Sequence, residues 1–316
     1  SIYYSRKVKD LYFQISSGYL YQEYNRSSMY LEGGDFLTDA FGFNNMAASG
    51  DFLNGLGIAS SSRDSYKVIS WQNSASVVFK NRYFLNATAN YSGSTRFGEN
   101  NKWGLFPSLG GGLQWNEEIP VFNSLILRAS WGKAGNIPQQ SNLSRTWLAP
   151  TGGYMYNNGT YTPTYTTYRS ENPDLKWEEK SEINIGADFT FVNRRVSGSI
   201  DWFNNKVNDL ISPVRVDSPP HVSSNMVANI GELQNRGLEI NLNVSARKTM
   251  NFSWDFNFNL SRVTTTVNSL SGNGYSIGDN GEISIGYFPD AGGCSSHGVN
   301  LVQEGAPLGQ IQGPVY

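Results

Sequence analysis

The sequence predicts an all-β chain, a transmembrane antiparallel β-barrel of which about nine strands lie within these 316 residues. Three features predict it. Apolar and polar residues alternate strictly in six separate stretches. The apolar members of those stretches include no charged side chain. The joints between stretches alternate between tight turns and long loops.

Period-two alternation sends successive side chains to opposite faces of a strand. In residues 181–191, Ile183, Ile185, Ala187, Phe189 and Phe191 alternate with Glu182, Asn184, Gly186, Asp188 and Thr190. In 252–261, Phe252, Trp254, Phe256, Phe258 and Leu260 alternate with Ser253, Asp255, Asn257, Asn259 and Ser261. In 238–246, Leu238, Ile240, Leu242, Val244 and Ala246 alternate with Glu239, Asn241, Asn243 and Ser245. Residues 83–92, 125–132 and 196–203 read the same way, and weaker strands are expected at 11–22, 66–79 and 104–116.

Charge decides which face meets lipid. A Lys or Arg at the bilayer midplane costs about 2–4 kcal/mol, so the charge-free face is the lipid face. Ile185, Phe189, Leu242, Trp254, Phe256 and Phe258 are expected there. The opposite face carries Arg128, Glu182, Asp188, Asp201 and Glu239, which are expected to look into the lumen and chiefly to pair with one another.

The joints at 80–82, 117–123, 192–195 and 247–251 are short, whereas those at 23–65, 135–178, 211–235 and 265–316 are long, with the loop at 96–103 as the short exception. Tight periplasmic turns and long extracellular loops are the outer-membrane arrangement. It would start the first strand, 11–22, at the periplasm. Aromatics gather at both strand ends: Phe79, Tyr83, Trp115, Phe189, Phe191, Phe252 and Trp254 near the turns, and Tyr91, Trp103, Trp131, Trp177 and Trp202 near the loops. Such belts mark the two headgroup regions. A secreted β-sandwich has no reason to put its rings at strand ends, or all its long loops on one side.

Composition agrees. Aromatics make up 14% of residues and charged residues only 16%, against about 25% in ordinary globular domains. No apolar run approaches the roughly 18 residues of a spanning helix. A net charge of -2 exerts no pull on nucleic acid. The single Cys294 cannot form an internal disulfide. Ser1 to Asp10 lack the apolar core of a secretion signal. Nine strands cannot close a single-chain bacterial barrel, so closing strands are expected outside this sequence.

Several segments resemble the C-terminal barrel half of the SusC/RagA-like TonB-dependent outer-membrane transporters of Bacteroidetes. They are Gly93 to Gly98, Asn101 to Leu109, Leu127 to Asn136, Glu171 to Glu178, Asn184 to Phe189, Gly198 to Phe203, Asp209-Leu210, and Asn229 to Glu232 with Asn235 to Glu239. Their order and spacing over residues 66–245 carry the likeness; residues 1–62 and 265–316 match loosely, as extracellular loops would. The resemblance implies a barrel of about 22 strands with an N-terminal plug, both completed outside this sequence. It implies import of oligosaccharides or peptides, a SusD-like surface lipoprotein as lid, and energy from the TonB–ExbB–ExbD complex. A passive barrel channel, or a barrel component of a surface secretion or adhesion complex, is the alternative.

Chemistry at the loop end is expected to be binding, not catalysis. His221 and His297 stand alone in loops. Gly278-Asp279-Asn280-Gly281-Glu282 reads as a turn, not a calcium loop. Gly110-Gly111-Gly112 precedes no helix and is expected within a tightly packed strand. No cofactor or metal is expected. Trp147, Tyr154, Tyr156, Tyr161, Tyr165 and Tyr168 crowd the 135–178 loop among Thr, Gly and Asn. Rings with hydroxyls suit stacking on sugar or peptide faces, so these six are the candidate substrate-binding residues.

Overall fold

A computed structural model describes residues 1–116, 119, 121–155, 159, 161–272, 275–277, 282–285 and 300–311. In chain order the strands as far as Ser269 are β1 (Ile2–Val8), β2 (Leu11–Glu32), β3 (Ile58–Phe79), β4 (Tyr83–Ser94), β5 (Trp103–Asn116), β6 (Phe122–Asn136), β7 (Trp147–Met155), β8 (Tyr161–Arg169), β9 (Glu178–Phe191), β10 (Val196–Asn208), β11 (Ile211–Arg215), β12 (Asn225–Asn229), β13 (Glu232–Thr249) and β14 (Phe252–Ser269), with five short strands after them. Ten of them form one sheet in the order β1-β2-β3-β4-β5-β6-β9-β10-β13-β14. Each wall strand pairs antiparallel with the next, as expected of a barrel wall.

Residues opposite one another in an antiparallel pair share a face. Register therefore tests the predicted parity. Leu127 faces Ala187, which faces Ile200, which faces Ile240, which faces Leu260. Ile185 faces Trp202, and Leu242 faces Phe258. The six alternating stretches thus merge into one continuous apolar face. Ile185, Phe256 and Phe258 are 53%, 48% and 54% exposed, which a sandwich core would not allow.

The apolar face is free of charge over a defined height. The windows run from Leu11 to Tyr21 on β2, Ile69 to Phe79 on β3, Ile183 to Phe191 on β9, and Phe252 to Leu260 on β14. Each spans roughly the 9–11 residues that a tilted strand needs to cross a bilayer. Charge returns on the same face just beyond, in the ion pairs Glu23–Lys67 at 3.7 Å, Lys133–Glu179 at 2.9 Å and Lys206–Glu232 at 2.7 Å and in the exposed Arg236 and Arg262. At the turn end Arg6, opposite Phe13, and Arg247, opposite Trp254, carry charge on this face.

The turns are tight because residues accept left-handed backbone there. Lys80, Asn81, Val192, Asn193 and Arg194 have φ between 51° and 64°. Asn is enriched in that conformation; the β-branched Val192 is not.

Several expected boundaries shift. The wall holds ten strands where about nine were expected, because Ile2–Val8 forms β1 and the chain turns at Lys9-Asp10 before β2. The chain's first strand therefore runs toward the turn end, not away from it. β2 and β3 pair as far as Glu32 and Ile58, so much of the expected 23–65 loop is a hairpin standing above the apolar band. Alternation is lost there because neither face meets an apolar medium. Each of the other three long loops also contains β structure, including the β7–β8 and β11–β12 hairpins. Ala246 is passed over by an irregularity between Ser245 and Arg247, so it faces no partner on β14.

Leu242→Arg places a cation in the charge-free band, whereas Asn243→Arg places one on the exposed polar face. The expected outcome is a loss of folded barrel for Leu242→Arg, consistent with a cost of about 2–4 kcal/mol, and near-normal yield for Asn243→Arg. Heat-modifiable electrophoretic mobility of the full protein reads the difference.

Candidate functional site

Above the polar face, the loop ends interlock around one asparagine. Asn229 ends β12 and is 5% exposed. Its Oδ1 accepts the Lys176 N–H at 2.8 Å, and its Nδ2 donates to the carbonyls of Lys176 at 2.8 Å and Asp209 at 3.0 Å. An ion pair of 2.8 Å between Lys176 Nζ and Asp209 repeats the link at side-chain level. Asn172 Nδ2 donates to the Val227 carbonyl at 2.9 Å.

An apolar core lies beside these bonds. Phe97, Phe106, Leu143, Leu175 and Trp177 are buried together, with Trp177 4.8 Å from Phe97 and edge-on to Phe106 at 5.2 Å. The Trp177 indole N–H donates to the Lys102 carbonyl at 3.1 Å. Trp177 was expected in the outer aromatic belt. It is instead 8% exposed in this core, because β9 begins only at Glu178 and strand parity does not extend to its position. Gly98 has room for no side chain, since a Cβ would collide with the Pro173 carbonyl.

The β7–β8 hairpin stands on this platform. The Ser170 N–H donates to the Asn225 carbonyl at 2.8 Å, and Ser170 Oγ exchanges bonds with the backbone of Ser223. Arg169 is buried, donating to Gln140 Oε1 at 3.1 Å and to the Asn142 carbonyl at 3.2 Å. Burial pushes its pKa down from the usual value. Its guanidinium lies 5.4 Å from the Trp147 ring centre, whose other neighbour is Tyr168, edge-on at 4.9 Å.

The candidate substrate residues thus divide. Trp147 and Tyr168 form one pair, 49% and 54% exposed, and Tyr165 is exposed on the same hairpin. The backbones of Tyr154 and Tyr161 are in strands, but their side chains, and all of Tyr156, lie outside the described residues. Cys294, His297 and Gly278 to Gly281 lie outside them too. His221 is half-buried, and its carbonyl accepts from Ser218 Oγ.

On the polar face, Arg128 bridges two strands. It donates from Nε to Asp188 at 2.9 Å and from Nη2 to Asp201 at 2.8 Å. Gly186 lies beneath the guanidinium, where a Cβ would come within 2.8 Å of Arg128 Cζ. Glu182 pairs with Lys180 at 2.9 Å instead. Glu239 faces Asp201 in register and is exposed. The sequence reading missed the Asn229 clasp. Its signal was the polar, short-range order of Asn172-Pro173-Asp174 and Asn229-Ile230-Gly231 inside long loops.

The wall, its register and its looped end match a known design. The TonB dependent receptor-like, beta-barrel family model matches residues 2–293. The chain belongs to that family. This receptor barrel is 32% identical over 251 residues to the TonB-dependent receptor SusC of Bacteroides thetaiotaomicron, covering 75% of this chain and 23% of that protein. It is 29% identical over 239 residues to the TonB-dependent receptor P26 of Formosa agariphila, covering 74% of this chain and 24% of that protein. The RagAB peptide importer in its closed-closed state has the same fold, with a TM-score of 0.76 at 18% identity over 97% of this chain and 32% of that one. The receptor barrel therefore spans about a quarter of the curated relatives it matches. It is an outer-membrane barrel, from a family of transporters and not of enzymes.

Asn229→Ala removes three bonds at once and strands two half-buried carbonyls and the Lys176 N–H. The expected cost is about 1–3 kcal/mol, confined to the loops. Hydrogen exchange of the full protein should show faster exchange in 170–177 and 225–231, with the wall strands unchanged.

Proposed function

We propose that the full-length protein is a TonB-energised importer of oligosaccharides or peptides across the outer membrane, working with a SusD-like surface lipoprotein as lid. The observation that carries this reading is the family match along the whole wall, combined with a charged inner face beneath interlocked loops. A plain anchor needs neither feature. The plug and the strands that complete the barrel belong to the rest of the protein, and TonB–ExbB–ExbD supplies the energy through that plug.

Within this scheme each face has one role. Ile185, Phe189, Leu242, Trp254, Phe256 and Phe258 contact hydrocarbon. Arg128, Asp188 and Asp201 hold three strands together on the wet side, while Glu182 and Glu239 line it. Trp147, Tyr165 and Tyr168 offer ring faces to solute held between loops and lid. Transport leaves the solute covalently unchanged.

Uptake of labelled oligosaccharide and peptide mixtures by cells carrying the full gene tests this. Uptake should vanish when TonB is deleted. Uptake that persists without TonB would establish a passive channel instead. Trp147→Ala with Tyr168→Ala should reduce uptake about fivefold to tenfold at unchanged barrel abundance, the scale of losing aromatic stacking.

A further inference from the structure

Toward the loops, the apolar part of the outward face ends at Trp202 on β10, Leu238 on β13 and Leu260 on β14. One outward position higher stand Asn204, Arg236 and Arg262. Both arginines are exposed. Arg236 lies inside the wall, with β10 on one side and β14 on the other, so its surroundings on this face are fully set. Asn204 and Thr264 oppose it in register, Trp202, Lys206, Arg262 and Thr266 are its diagonal neighbours, and Gln234 and Leu238 flank it along β13. None of these is acidic.

Lys67, Lys133 and Lys206, the cations nearest this edge on β3, β6 and β10, are already matched. Glu23 holds the first at 3.7 Å, Glu179 the second at 2.9 Å and Glu232 the third at 2.7 Å. Glu232 also accepts from Asn268 Nδ2 at 2.6 Å, so its oxygens are occupied. Among the described residues, neither Arg236 nor Arg262 has an ion pair. As diagonal neighbours they stand roughly 7–8 Å apart, where like charges repel. Two guanidiniums so placed form a fork for one oxyanion, because each offers paired N–H groups to two oxygens.

Depth selects the anion. Leu238, Leu260 and Phe258 lie directly below the fork and are 41%, 50% and 54% exposed on the face expected to meet hydrocarbon. Trp202, diagonal to Arg236, stands in the outer aromatic belt that marks the headgroup region. A cation one position above that belt is at the depth of lipid phosphates. With the long loops outside the cell, those phosphates belong to the outer leaflet, which in an outer membrane is built of phosphorylated glycolipid.

We propose that Arg236 and Arg262 jointly bind a phosphate of an outer-leaflet glycolipid, whose acyl chains lie along Leu238, Leu260 and Phe258. This rests on the reading that the apolar face meets lipid and the long loops are extracellular. The phosphate cancels the repulsion between the two cations and ties the upper edge of β13 and β14 to the leaflet.

Native mass spectrometry of the full protein in detergent, exposed in turn to lipid A bisphosphate, dephosphorylated lipid A and phosphatidylglycerol, tests the site. Lipid A bisphosphate should be retained in preference to the other two. Its retention should fall about fivefold for each of Arg236→Gln and Arg262→Gln, the worth of one surface cation beside anionic lipid. Arg247→Gln, at the turn end of the same face, should leave retention unchanged. Heat-modifiable mobility reports that each variant is folded. Equal retention of the two forms of lipid A, unchanged retention in both Arg236→Gln and Arg262→Gln, or an equal loss in Arg247→Gln overturns the proposal. Phosphatidylglycerol retained as well as lipid A bisphosphate, and lost in the same two variants, overturns it in favour of a general phospholipid site. Quenching of tryptophan emission by lipids with brominated acyl chains separates the two levels. Quenching without preference for the phosphorylated glycolipid sinks this site alone, and absence of quenching sinks the lipid-facing reading with it.

Discussion

An antiparallel ladder forces residues that face each other in register onto one side of the sheet. That constraint couples all ten wall strands. Once Ile200 is placed against Ala187 and Ile240, a one-residue slip in β9, β10, β13 or β14 would send Asn, Asp or Glu residues to the apolar side. The apolar face therefore specifies register as well as environment. It also explains the tolerance of tight, left-handed turns, because the turns only have to deliver each strand in the register its side chains demand.

The polar face obeys different physics. Arg128, Asp188 and Asp201 form a triad there that ties neighbouring strands together. Arg128 reaches Asp188 on β9 and Asp201 on β10 because Gly186 leaves it a path. Such pairs are half-exposed, and each contributes modestly. Their effect is to hold side chains in place on a surface that must stay wet. At the loop end the task changes again, from facing a medium to joining segments far apart in sequence. Neutral amides do that work. Asn229 can donate twice and accept at the same time, which lets it hold two loop segments at their backbones.

The wall was readable from sequence because its environment is periodic. Residues 181–191 and 252–261 each alternate between an apolar and a polar face of the sheet, and their composition records it. β1 was missed because Tyr3, Ser5 and Lys7 alternate with Tyr4 and Arg6, so neither face is plainly apolar. The upper halves of β2 and β3 were read as loop because they stand above the charge-free band, where nothing selects for alternation. Trp177 was assigned to the wrong face because parity was extended past the end of its strand. Asn229 and Ser170 carried no periodic signal at all. Their roles depend on partners more than fifty positions away, Lys176 and Ser223, which no local pattern can reveal. Among the described aromatic candidates, the pairing of Trp147 with Tyr168 needed the hairpin to be seen.

The central claim is that side chains alternate between hydrocarbon and water along every wall strand. Single spin labels placed in turn at Ile240, Asn241, Leu242 and Asn243 of the full protein, with Cys294→Ser and the barrel reconstituted in lipid, measure this directly. Collision with apolar oxygen should be high at positions 240 and 242, and collision with a water-soluble nickel complex should be high at 241 and 243. A profile that changes smoothly along the four positions, or in which 240 and 242 meet neither reagent, would contradict the account.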